Sequence, residues 1–180
     1  GYMNTGSQLS YATPYGHRTS TSEVGNKLSG KRFHHKDTPQ IFAACNVPYV
    51  FTASEGYPED FMRKISKAQW YARREGFVYG KVLSFCPLNW RTKDDAAQEV
   101  LQTAIDCCFF PLYEVERGST HITYDPDAIG RRRSVGAWLG QMGKTKHMLE
   151  PDNAERLEML EHEFDKRWRK LKIKSEHPEL

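Results

Sequence analysis

The chain has 180 residues, 38% of them hydrophobic and 12% aromatic, with a formal net charge of +3 at pH 7. This length suits one domain, and this apolar content excludes an intrinsically disordered chain. The charge is too small to indicate nucleic acid, and no apolar run approaches the roughly 20 residues of a membrane-spanning helix, so we expect neither nucleic acid nor membrane as partner.

Strands and helices alternate along the middle of the sequence. Residues 1–40 are rich in glycine and polar side chains, which is typical of loops. Apolar runs and periodicity then predict, in chain order, strand 47–53, helix 58–76, strand 78–85, helix 94–108, and strands 110–116 and 121–125. This alternation is typical of an α/β fold in which helices flank a parallel sheet. In such sheets, functional residues lie in loops beyond the carboxyl ends of the strands.

The last segment of the chain predicts an amphipathic helix. Its apolar side chains recur at helical spacing, at Leu157, Leu160, Phe164, Trp168 and Leu171. The segment is acidic first and basic later, as the helix macrodipole favours. A partner-binding helix stays open as an alternative to a helix docked on its own domain, which we favour. We divide the chain into a domain over 1–148 and a helical tail over 149–180.

Three short motifs suggest binding sites only weakly. The segment QMGKTK (141–146) resembles the end of a phosphate-binding loop, but Trp138 stands where such a loop needs a glycine. The run RRR (131–133) is interpreted as a solvated face rather than as a site for an acidic partner. The pair His34-His35 has no cysteine or carboxylate at ligand spacing, so we expect no metal there.

The four cysteines are Cys45, Cys86, Cys107 and Cys108, without a CxxC pair, which favours a reducing, cytoplasmic setting. We expect all but Cys86 to pack in the core as small hydrophobes. Cys86 follows a predicted strand directly and precedes Pro87, where the chain must turn. A single cysteine can supply one ligand of a metal cluster if the others come from elsewhere. Spacing alone favours an ordinary thiol over a cluster ligand.

The opening GYMNTGSQLSYATP (1–14) is a polar run that can bury little of itself. Together with the threonine-rich residues 19–21, it resembles the stretch after the thiamine-diphosphate motif in β subunits of 2-oxoacid:ferredoxin oxidoreductases of the pyruvate synthase type. The likeness continues, in the same order, through VPYVFTASEGYPEDFMRKISKA (47–68), SFCPLNW (84–90) and FFPLYEVERG (109–118). It covers nearly the whole chain.

The resemblance implies the C-terminal part of a thiamine-diphosphate-binding domain and assigns roles by position. Asn4, Thr5 and Gly6 lie where the family binds thiamine diphosphate, and Asn4 is the expected catalytic residue. The backbone carbonyl of Gly1 is the expected Mg²⁺ ligand, and Cys86 the expected ligand of a [4Fe–4S] cluster. The family's upstream Gly-Asp-Gly motif and other cluster cysteines are absent from this sequence. We therefore expect the chain to begin inside the cofactor site, as a separately made half-subunit or as a fragment.

The activity that the resemblance implies is coenzyme A-dependent oxidative decarboxylation of a 2-oxoacid, with pyruvate as the first candidate. The products are acyl-CoA, CO₂ and reduced ferredoxin. The expected partners are the N-terminal part of the β subunit, subunits of the α, γ and δ types, and ferredoxin. Two alternatives remain: a cluster-free thiamine-dependent 2-oxoacid decarboxylase subunit and a non-catalytic structural subunit. Cys86 distinguishes the oxidoreductase from the decarboxylase, because a decarboxylase needs no cluster ligand at this position.

Overall fold

A computed structural model describes residues 8–25 and 28–178. Four strands form one sheet in the order β2-β1-β3-β4. The strands are β1 (Tyr49–Ser54), β2 (Val78–Leu83), β3 (Tyr113–Glu116) and β4 (Ser119–Ile122). The helices are α1 (Thr38–Ala44), α2 (Pro58–Arg74), α3 (Pro87–Trp90), α4 (Ala97–Asp106), α5 (Val135–Gly140) and α6 (Ala154–Glu176), with short 3₁₀ turns at Asp94–Ala96, Lys146–Leu149 and Pro151–Asn153. The α/β prediction is confirmed, and the arrangement is consistent with a thiamine-diphosphate-binding type of fold.

The predicted parallel sheet is correct for one pair of strands and wrong for the rest. β1 and β2 run parallel, whereas β3 runs antiparallel to β1 and β4 antiparallel to β3. The reason lies in α4, which stays at the carboxyl end of β1 instead of returning along the sheet. The start of α4 reaches Gly56, where the Gln98 amide donates to the carbonyl, and its end lies by Tyr57, whose hydroxyl donates to Asp106 at 3.5 Å. β3 therefore enters the sheet from that same edge.

The two faces of β1 meet different helices. Tyr49, Phe51 and Ala53 alternate onto one face and pack against Ala68 and Tyr71 of α2. The opposite face carries Val50, which belongs to a cluster with side chains of β3 and α6; that cluster is Val47, Val50, Cys108, Tyr113, Val115, Trp168 and Leu171. The central strand is therefore covered on both sides, which accounts for its complete burial.

The C-terminal helix docks on its own chain, as we expected. Its apolar stripe Leu160, Phe164, Trp168 and Leu171 is buried. The Trp168 indole also donates to the Asp127 carboxylate at 2.6 Å. Leu160 and Phe164 join a third cluster with α4 and α5, so α6 connects the sheet to the helices beyond the strand ends.

Sequence patterns missed three short helices, α1, α3 and α5, each of seven residues or fewer. Two turns of helix are too short for a periodic pattern to emerge. Within the described part of the chain, no helix combines the length and the apolarity that crossing a bilayer requires.

Candidate functional site

The parallel strands β1 and β2 end at the same edge of the sheet, and a carboxylate joins their ends. Glu55, the first residue after β1, accepts hydrogen bonds from the Ser84 hydroxyl at 2.6 Å and the Phe85 backbone N–H at 3.1 Å. The Ser54 hydroxyl donates to the Leu83 carbonyl at 3.2 Å. The segment that leads from β2 to Cys86 is therefore held to the end of β1 by these hydrogen bonds.

Cys86 caps the first turn of α3 at this edge. Its backbone is extended, Pro87 occupies the first helical turn, and the Trp90 N–H donates to the Cys86 carbonyl at 2.9 Å. Proline suits this position because its missing N–H would have no helical partner. The Cys86 side chain is half-buried and lines a cavity of about 150 Å³. The predicted location beyond the strand end is confirmed, while the role of the thiol stays a prediction.

The walls of this cavity combine aromatic rings with basic side chains. The rings are those of Phe85, Trp90, Phe109, Phe110 and Trp138, and the basic residues are His17, His35, Lys81 and Lys144. His17 and Lys144 are only 2% and 3% exposed. The sequence pattern did not point to His17, and it pointed to Lys144 only within the dismissed segment QMGKTK (141–146). Lys144 therefore places a buried cation in the wall of this cavity, which the linear pattern did not reveal.

A turn after α5 delivers Lys144 to the cavity. The Gly143 N–H donates to the Arg91 carbonyl at 3.2 Å, and a Cβ on Gly143 would lie 2.9 Å from the Arg91 Cβ and 3.0 Å from its carbonyl oxygen. Only glycine allows this close approach to the end of α3. On the other side, the Thr145 hydroxyl donates to the Leu139 carbonyl at 2.7 Å. The segment that resembled a phosphate loop is thus a packed turn next to Cys86.

Burial dominates the electrostatics of the cavity. It lowers the pKa of Lys144 to about 7, while the charge of Cys86 acts in the opposite direction and raises it. Burial also brings the pKa of His17 well below its usual range, and the nearby Lys144 lowers it further. The imidazole of His17 is therefore neutral at neutral pH. Neither of its ring nitrogens has a hydrogen-bond partner among the residues that the structure describes.

The loop that follows the polar opening is anchored beside the Cys86 cavity. The His147 Nε2–H donates to the Gly16 carbonyl at 2.8 Å, the Gly16 N–H donates to the Lys31 carbonyl at 2.8 Å, and the Lys31 ammonium donates to the Thr13 carbonyl. These contacts hold the residues before His17 beside the Cys86 cavity.

The expected cofactor residues lie outside the described part of the chain. They are Gly1, Asn4, Thr5 and Gly6. Their predicted roles toward Mg²⁺ and thiamine diphosphate therefore stay predictions. Over residues 8–25 and 28–178, no group of three or more histidine, cysteine or acidic side chains is arranged to hold a metal ion. Cys86 can contribute one thiolate to a cluster whose other ligands come from elsewhere. A half-buried thiol beside a buried cation fits an anionic cluster.

The other cysteines differ from one another. Cys107 and Cys108 are buried, as expected, and burial raises the pKa of the Cys107 thiol to about 12. Arg132 donates to the Cys108 sulfur at 2.6 Å. The expectation of a buried Cys45 is wrong, because this residue is exposed at the C-cap of α1, where the helix ends and leaves the core.

The arginine run lies at the surface, as expected, since Arg131 and Arg133 are exposed and Arg132 is half-buried. Arg131 and Arg133 approach the buried carboxylate of Asp106 at 3.8 and 3.9 Å, and Arg132 pairs with Asp165. Arg131 and Arg133 thus place positive charge near the buried carboxylate of Asp106, which also accepts a hydrogen bond from the Tyr124 hydroxyl at 2.6 Å.

No family model matches the chain, but curated relatives do. It is 39% identical over 151 residues to pyruvate synthase subunit PorB of Methanocaldococcus jannaschii, which covers 84% of this chain and 49% of the relative. It is 38% identical over 172 residues to PorB of Thermotoga maritima, with 95% and 51% covered. Ketoisovalerate oxidoreductase subunit VorB of Pyrococcus abyssi is 34% identical over 171 residues, with 95% and 52% covered. The chain spans about half the length of the curated relatives it matches.

Proposed function

The chain belongs to the family of 2-oxoacid:ferredoxin oxidoreductase β subunits, and from this membership we propose that it forms part of a cytoplasmic enzyme dependent on thiamine diphosphate, Mg²⁺ and a [4Fe–4S] cluster. The enzyme works with the N-terminal part of the β subunit and with other subunits. Pyruvate is the first candidate substrate, and relatives named for ketoisovalerate make branched 2-oxoacids the second.

The reaction converts a 2-oxoacid anion and coenzyme A into acyl-CoA, CO₂ and a proton, and its two electrons pass singly to ferredoxin. Thiamine diphosphate, when bound, supplies the electron sink for decarboxylation. In this chain Asn4, Thr5 and Gly6 bind that cofactor, with the Gly1 carbonyl on Mg²⁺. An amide and a hydroxyl next to a glycine can donate to phosphate or to a developing oxyanion without adding charge.

The observation that supports the cluster is the placement of Cys86. The thiol lies beyond the carboxyl end of a parallel strand, in a cavity that also holds the buried Lys144. The Glu55 carboxylate fixes the backbone that leads to it. These residues orient one thiolate ligand and surround it with aromatic side chains that restrict water.

Cys86→Ser tests this proposal, with Cys107→Ser as the matched control. Both variants are assembled with their partner chains, and iron content and the EPR spectrum of the reduced complex are measured. We expect Cys86→Ser to yield a labile, altered or three-iron cluster, while Cys107→Ser keeps full iron, because its thiol is buried against the Ala104 carbonyl. Full iron and an unchanged spectrum in Cys86→Ser contradict the proposal and favour the cluster-free decarboxylase.

Asn4→Ala tests the thiamine site separately. Loss of one preorganised donor typically lowers turnover by about 10²–10³, and we expect a loss in that range with assembly intact. Turnover equal to that of the unmodified complex removes Asn4 from the catalytic site. If the complex assembled with the unmodified chain carries iron but shows no 2-oxoacid turnover, the result favours the alternative that this chain is a non-catalytic structural subunit.

A further inference from the structure

A second cavity, of about 430 Å³, lies between α1 and α6. It adjoins the Cys86 cavity, since Lys81, Phe109 and Phe110 line both, but Cys86 itself does not line it. Its volume is in the range of sites that bind small molecules. We call this cavity the basic cleft, because cationic side chains from β2 and α6 converge on it.

Positive charge predominates in the basic cleft. Its described lining carries five cationic side chains and two carboxylates, and these are Lys81, Lys166, Arg167, Lys170 and Lys174 against Asp37 and Glu163. The Glu163 carboxylate is shared by two of the cations, with Arg167 at 2.7 Å and Lys166 at 3.9 Å. Among the lining residues that the structure describes, one carboxylate, that of Asp37, therefore remains for the other three lysines.

Two of these lysines, Lys81 and Lys170, come from different elements. Lys81 lies on β2 and is half-buried, whereas Lys170 lies on α6 and is exposed. Neither ammonium forms a hydrogen bond or an ion pair within residues 8–25 and 28–178, and that of Lys81 lies 5.9 Å from the ring centroids of Tyr11 and Phe110. A partly desolvated cation gains more from an anion than an exposed one does. Both lysines are therefore available to an anion in the cleft.

We propose that the basic cleft binds a phosphorylated small molecule of about nucleotide size, with the ammonium groups of Lys81 and Lys170 donating to its phosphate oxygens. Phosphate groups carry several acceptor oxygens and more negative charge than a carboxylate, so they suit several lysines at once. Phe109 and Phe110 supply apolar surface for the organic part of the ligand. Inorganic phosphate would leave that surface uncovered. The inference does not depend on the iron–sulfur cluster.

Lys81→Met and Lys170→Met test the inference in the assembled complex, with Arg169→Met as the matched control. Arg169 is exposed next to Lys170 on α6 but does not line the cleft, so its loss changes the charge of the helix equally. Titration calorimetry measures the binding of ATP, of coenzyme A and of inorganic phosphate separately. We expect each lysine variant to weaken nucleotide binding about tenfold, as the loss of a hydrogen bond between charged groups typically does. Arg169→Met should change it by less than about twofold.

Two results support the inference and identify the source of the phosphate. If the lysine variants weaken ATP binding, a free nucleotide can occupy the cleft; if they weaken coenzyme A binding and ATP does not bind, the nucleotide part of coenzyme A occupies it. Should Lys81→Met fail to assemble, the exposed Lys170→Met decides alone.

Four results overturn the inference. They are no binding of ATP or coenzyme A at about 1 mM, binding that neither lysine variant weakens, an equal loss in Arg169→Met, and inorganic phosphate binding as tightly as ATP. The proposed function is tested independently, because full iron in Cys86→Ser would overturn the cluster and leave this binding unchanged.

Discussion

Replacing the buried Lys64 by methionine should destabilise the protein far more than the same change at its neighbour Arg63. The Lys64 ammonium donates to the Thr52 carbonyl and to the Thr123 hydroxyl, both at 2.8 Å, and it lies 2.6 Å from Asp60. Arg63 pairs with the other oxygen of Asp60 at 2.8 Å. The lysine side chain is 0% exposed and that of Arg63 is 57% exposed. Two cations on α2 thus share the Asp60 carboxylate, and one of them is buried while the other is exposed.

The expected magnitude follows from this difference in exposure. Removing one partner of a buried ion pair costs about 3–5 kcal/mol, because the other charge and the other acceptors are left unpaired. Asp60 retains Arg63, lies in the first turn of α2 and is 15% exposed, so we take the lower end, about 3 kcal/mol. An exposed ion pair contributes about 0–1 kcal/mol, which is the loss expected for Arg63→Met.

Urea unfolding followed by circular dichroism measures both variants, and an unchanged slope against denaturant verifies that only stability has changed. Asp60→Asn combined with Lys64→Met should recover part of the loss, because the carboxylate that has lost its buried partner is then replaced by a neutral amide. The reasoning is refuted if Lys64→Met costs less than about 1 kcal/mol, or no more than Arg63→Met.

Two further predictions concern the loops around the Cys86 cavity. Gly143→Ala should cost about 1–3 kcal/mol in the free energy of unfolding, because its Cβ would press on the backbone of Arg91. As the control, Gly136→Ala in α5 should be neutral or stabilising, because the nearest atom to its added Cβ lies 3.6 Å away. If urea unfolding shows the same loss of stability for both variants, the close-contact argument is contradicted. Burial lowers the pKa of Lys31 to about 8, so between about pH 8 and pH 10.4 the unfolded chain binds more protons and stability should rise with pH. Lys31→Met should remove up to about 3 kcal/mol of this increase in the free energy of unfolding, whereas Lys93→Met, at an exposed position, should leave the increase unchanged. If the increase with pH is the same in Lys31→Met as in the unmodified chain, Lys31 does not cause it.

Elements whose pattern is local were predictable from the sequence. The strand β1 lies in a mostly apolar run, α2 begins at Pro58 where proline is favoured, and α6 carries its apolar stripe at helical spacing. Each of these signals lies within one segment and depends only on side-chain periodicity and capping. The position of Cys86 just beyond β2 was predictable for the same reason.

The tertiary structure alone decided which segments meet. The direction of β3 depends on α4 remaining at the carboxyl edge, a matter of packing that no local pattern records. Lys144 reaches the Cys86 cavity because Gly143 fits against Arg91, and the sequence between them contains no sign of that contact. Hydrophobic periodicity encodes which face of an element is buried. It does not encode which partner buries it, because that depends on hydrogen-bond register and on shape complementarity between residues far apart in the chain.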